Sequence, residues 1–152
     1  MVEKQVTKKM TIVVDANIVF SAILNTDSRI GQLLLNPKAN RRFIAPDYLL
    51  AEIHRHHDKI CTLTGLTPVE VLHLQHAVCS SILFISEEQT LPDALSKADE
   101  MVKDVDPKDA FYIALSVQFK SPIWSGDKKL IAGLEQKGFD RFITTDQLFS
   151  II

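Results

Sequence analysis

Four acids in this chain stand beside apolar residues, where a carboxylate calls for a reason. Asp15 follows the strand-like run Thr11-Ile12-Val13-Val14. Glu52 lies among Leu49, Leu50 and Ile53, on the side of a helix that their spacing would bury. Asp109 precedes Tyr112 and Ile113 by three and four residues. Asp127 follows Ile123-Trp124 through a serine and a glycine. Carboxylates brought within a few ångströms repel and raise one another's pKa. A divalent cation is the usual remedy, and an all-oxygen ligand set suits Mg²⁺ or Mn²⁺. Such a centre activates water, polarises a phosphate oxygen and stabilises the departing one, which is what phosphodiester hydrolysis requires. Each acid also has a plainer reading. An Asp after a strand serves equally as a turn residue or a helix cap. Asp106-Pro107-Lys108-Asp109 is a good helix start in itself.

The elements that must position these acids alternate along the chain. Thr11–Val14 reads as a buried strand, without alternation. A helix follows over 17–24, then a second through Leu35, capped by Asp27 or Ser28. Phe43–Ala45 reads as a strand closed by Pro46. The spacing of Leu49, Leu50, Ile53 and Ile60 predicts one long helix from Asp47 to Thr64, stopped by Gly65. Thr67-Pro68 starts another. Ser81–Ser86 is a strand candidate, 91–102 is helical, and a helix runs from Asp106-Pro107 to Val117. Ser121–Asp127 reads as a strand ending in a loop. Arg141–Asp146 is the last strand, before a short helical tail. Strand and helix alternation predicts an α/β fold, a three-layer α/β/α sandwich around a mainly parallel sheet. Sites in such sheets form beyond the carboxyl ends of the strands, where Asp15 and Asp127 would project.

Composition bounds the rest. The 152 residues are 46% hydrophobic and 24% charged, with a net charge of -2. Residues 1–10 read as a flexible lead-in and 11–152 as one domain, large enough to bury roughly 70% of its unfolded surface. Cys61 and Cys79 match no zinc spacing and suit a reducing, cytoplasmic setting. No apolar run suits a membrane span. The charge balance provides no global nucleic-acid footprint, though a local basic rim can border an acidic pocket. Lys128 and Lys129, directly after Asp127, are candidate contacts for an RNA backbone, whereas Arg41 and Arg42 read as solvated. His54, His56 and His57 read as the exposed side of a helix, and Trp124 as core.

Four segments together resemble the PIN-domain family of metal-dependent ribonucleases. They are "VVDANIVFS" around Asp15 and Asn17, "LLAEI" around Glu52, "DAFYIALS" beginning at Asp109, and "WSGDKKL" around Ser125 and Asp127. The resemblance runs from Thr11 to about Phe149. It implies an endoribonuclease in which Asp15, Glu52, Asp109 and Asp127 hold one or two Mg²⁺ or Mn²⁺. Asn17 and Ser125 would orient carboxylates or water by hydrogen bonds. Asp104 and Asp106 are further acids near the third position. The resemblance also implies a toxin-like role, an antitoxin protein as partner and a homodimer. Two rivals are a receiver-like phosphoacceptor switch, suggested by Lys120-Ser121-Pro122, and a non-catalytic RNA- or protein-binding module on the same fold. The first needs an acid at the end of its middle strand. Neither "FIAP" nor "LFIS" ends in one.

Overall fold

The computed structural model describes residues 10–36, 40–102 and 109–150. Strand β1 (Met10–Val14) lies at the centre of a five-stranded sheet. Its neighbours are β2 (Arg41–Pro46) and β4 (Ile123–Trp124), with β3 (Ile82–Ile85) and β5 (Phe142–Ile143) at the edges. The order is β3-β2-β1-β4-β5 and every pairing is parallel. Parallel strands need crossover helices, and these cover both faces. That is why β1 shows no alternation. Ile12 and Val14 pack into one core and Val13 into the other, and all three are fully buried. The strand order differs from the 2-1-3-4-5 order of flavodoxin-like sheets, which removes the receiver-like alternative.

One face carries α1 (Ala16–Leu24), α2 (Arg29–Leu35), α3 (Tyr48–Arg55), α4 (His57–Thr64), α5 (Pro68–Cys79) and the tail helix α9 (Thr145–Ser150). The other carries α6 (Pro92–Met101), α7 (Ala110–Phe119) and α8 (Lys128–Glu135). Helix ends follow local chemistry. Ser28, rather than Asp27, caps α2 by accepting the Gly31 amide at 3.0 Å. Thr67 and Glu70 form a reciprocal capping box at the start of α5, with Pro68 in its first turn. Gly65 ends α4 at φ 73°, a left-handed conformation that glycine adopts without steric penalty.

Several expectations need correction. The predicted 47–64 helix is two helices, parted at His56, whose amide turns back to the Glu52 and Ile53 carbonyls. Leu50 is exposed rather than inward. Arg41 is buried, not solvated, while Arg42 is exposed and donates to Thr11 Oγ1 at 3.1 Å. Beyond Asp127, where no element was expected, the chain continues as helix α8, anchored by Leu130 and Leu134. Met10 belongs to β1 rather than to a lead-in, and residues 1–9 lie outside the described residues. Asp104, Asp106 and the expected helix start at Asp106-Pro107 also lie outside them. Trp124 is core as expected, with no exposed surface, and its indole N–H donates to Thr145 Oγ1 at 3.0 Å.

Candidate active site

Asp15 occupies the cap position of α1, yet its side chain makes no capping bond. Its amide donates to the Trp124 carbonyl at 3.1 Å, extending the β1–β4 pairing one residue past the strand. This contact brings the ends of two neighbouring strands together. Ser125, the first residue after β4, is buried there, and its hydroxyl donates to Asp15 Oδ2 at 2.7 Å. The same hydroxyl oxygen accepts the Asp127 amide at 3.1 Å. The carboxylate of Asp15 is therefore oriented by a serine from the adjacent strand, with the Ala16 amide at the start of its own helix as a second donor.

Asp127 has the role that Asp15 lacks. Its Oδ1 accepts the amides of Lys129 and Leu130, both at 3.1 Å, and caps α8. Asp109 immediately precedes α7 rather than lying a turn inside it, and makes no capping bond. Glu52 is half-buried on α3, between the fully buried Leu49 and Ile53. These four carboxylates line one cavity of about 160 Å³ beyond the carboxyl ends of β1 and β4. Asn17, in the first turn of α1, lines it too, as do Tyr48 and Tyr112.

The two tyrosines were not expected at the site. Their rings meet edge-on, with centroids 5.8 Å apart. Burial pushes both hydroxyls upward in pKa, and the nearby carboxylates reinforce this. Both therefore stay protonated at neutral pH. Their places in the fold account for their presence at the site. Tyr48 comes just after the end of β2, and Tyr112 lies one helical turn beyond Asp109. Lys128 and Lys129 sit exposed in the first turn of α8. His54 and His56 are exposed as expected, and His57 is half-buried with Cys61 Sγ 3.7 Å from its ring nitrogen.

Asp15 reports on the electrostatics. It is 5% exposed, and burial raises its pKa above the usual 3.8. The Ser125 hydroxyl and the Ala16 amide pull it back down. The charges of Asp127 and Glu52 push it further up. The pocket is thus short of positive charge, which is what a cation would supply. Among the described residues, no three His, Cys, Asp or Glu side chains form a ready-made ligand set. The acids rim a space rather than converge on a point. That suits a hydrated ion. Mg²⁺ sheds its waters reluctantly and is usually held by one or two carboxylates.

A fully parallel α/β/α sheet with an acidic cavity at its carboxyl edge defines the structural class. Compared with known families, the chain matches the PIN domain over residues 13–147, nearly its whole length, and it belongs to that family. PIN domains are generally nucleases and typically use a divalent metal. Among curated proteins, none matches the sequence. Among the described residues, no helix is long and apolar enough to cross a membrane.

Proposed function

We propose that the chain is a Mg²⁺- or Mn²⁺-dependent endoribonuclease. The observation that carries this reading is the shared cavity of Asp15, Glu52, Asp109 and Asp127, with Asp15 buried and its pKa raised. A bound divalent ion would activate water and stabilise the charge that develops on the phosphate and the leaving oxygen. The chain's own residues do the rest. Asp15, held by Ser125, is the best-positioned ligand. Glu52 and Asp109 line the same cavity, where each would accept from a metal's water shell. Asp127 keeps one oxygen on the α8 amides, so it acts through water or its other oxygen. Asn17 supplies an amide at the rim. Lys128 and Lys129 flank Asp127 and would attract the RNA backbone.

The test is cleavage of single-stranded RNA by the purified protein. Activity should appear with Mg²⁺ or Mn²⁺, stop with EDTA and be lost in Asp15→Asn. Cleavage that persists in chelator would end the metal-dependent reading. The toxin-like role, the antitoxin partner and the homodimer rest on the family alone. They predict a small DNA-binding protein encoded beside this gene that binds and silences the chain, and a dimeric mass in sedimentation.

A further inference from the structure

A second cavity, about 470 Å³ in volume, adjoins the acidic one and shares Tyr48 and Glu52 with it. Its size falls within the range of small-molecule sites. Phe111 and Leu95 supply apolar wall, and the Phe111 and Tyr48 rings lie 5.8 Å apart at 54°. Glu87, at the turn after β3, and Asp99, on α6, bring two further carboxylates, and Arg55 brings a cation. Among the described residues neither Glu87 nor Asp99 forms an ion pair. Both are exposed, so their oxygens are open to a ligand.

Charge narrows the occupant. With Glu52, this cavity holds three carboxylates against one arginine, so it repels a phosphate. It favours a flat group that stacks on an aromatic ring and offers N–H donors. Single-stranded RNA presents such groups next to every phosphate, because its bases can be splayed out and read on their Watson–Crick edges. Guanine alone offers two adjacent donors there, N1–H and the N2 amino group. A carboxylate accepts two parallel hydrogen bonds. Adenine and cytosine offer one amino group each.

Resting on the nuclease reading above, we propose that this cavity is a base-recognition pocket selecting guanine next to the scissile phosphate. Phe111 and Tyr48 form its stacking wall, and Glu87 or Asp99 receives the guanine edge.

The experiment is equilibrium binding in EDTA, where the proposed nuclease does not cut, with uridine hexamers carrying one central guanosine, inosine, adenosine or cytidine. The guanosine oligomer should bind about tenfold tighter than those with adenosine or cytidine. Inosine, which lacks the N2 amino group, should fall between. The Glu87→Gln, Asp99→Asn double variant should lose the guanine preference, in binding and in the choice of cleavage site, while its melting curve stays native. Equal or unmeasurable binding of all four hexamers overturns the pocket. So does binding of an arginine-containing peptide that the double variant abolishes while the native protein shows no base preference, since that assigns the cavity to a protein partner. Guanosine-selective binding without cleavage keeps the pocket and removes the nuclease. Cleavage without base preference in binding does the reverse.

Discussion

Asp15 and Ser125 are adjacent in space because β1 and β4 are adjacent in the sheet, although 110 residues separate them in sequence. Their hydrogen bond has two effects. It fixes which way the carboxylate faces, and it favours the ionised form against the pull of burial. Ser125→Ala keeps the first effect only loosely and removes the second. The pKa of Asp15 should then rise further. The acid limb of the pH–rate profile should move to higher pH, because a protonated Asp15 cannot serve a metal. Partners that orient a ligand typically contribute 10–100-fold to affinity or activity, so a loss of about tenfold near neutral pH is expected. Ser125→Thr retains the hydroxyl and should restore the native limb. An unshifted limb in Ser125→Ala would mean that Asp15 does not set the pH dependence.

At the level of elements, Gly31 shows how the α1–α2 corner is held. A Cβ added there would lie 2.4 Å from the Thr26 carbonyl oxygen, with the Thr26 backbone crowding around it. Alanine is the better helix former by about 1 kcal/mol. The clash wins because backbone cannot swing away as a side-chain tip can. Gly31→Ala should destabilise by about 1–3 kcal/mol, lowering Tm by roughly 2–4 °C per kcal/mol. A melting curve equal to the native one would show that the corner relaxes freely. The legible and illegible elements divide on similar physical lines. β1 was legible because a strand buried on both faces is a continuous apolar run, and Asp15 ends it abruptly. The break at His56 was not. Leu49, Ile53 and Ile60 keep helical spacing across it, and neither glycine nor proline marks it. Helix α8 did announce itself through Leu130, Leu134 and a capping Asp127. The cap reading of Asp127 holds, since its Oδ1 accepts the Lys129 and Leu130 amides. The four-acid cavity was legible from order and spacing. Tyr48 was not, because nothing local distinguishes it from an ordinary first-turn aromatic.

At the scale of the whole molecule, a site that gathers uncompensated charge couples the fold to its ligand. The raised pKa of Asp15 has a definite sign. Between the usual 3.8 and its raised value, the folded state binds the proton more tightly than the unfolded state does. That contribution is fully present below 3.8 and is lost as pH rises through the folded value. Asp15→Asn has no such term. Its stability relative to the native protein should therefore grow over that window and then level off. Asparagine can still accept from Ser125, and its amide donates where Glu52 and Asp127 carry negative charge. No helix-cap bond is lost, because Asp15 makes none. Metal should reverse the ranking. At a hundredfold excess over Kd, Mg²⁺ would stabilise the native protein by about 2.7 kcal/mol. A ten- to hundredfold weaker variant would gain only about 0.4–1.4 kcal/mol at the same concentration. Melting both proteins in EDTA and in Mg²⁺, at acid and neutral pH, reads all three signs at once. The variant should be the more stable at neutral pH in EDTA, the two should converge in acid, and Mg²⁺ should raise the native Tm more. If Mg²⁺ shifts both proteins equally, Asp15 is not a ligand, and the cause of its burial must be sought in the β1–β4 junction alone.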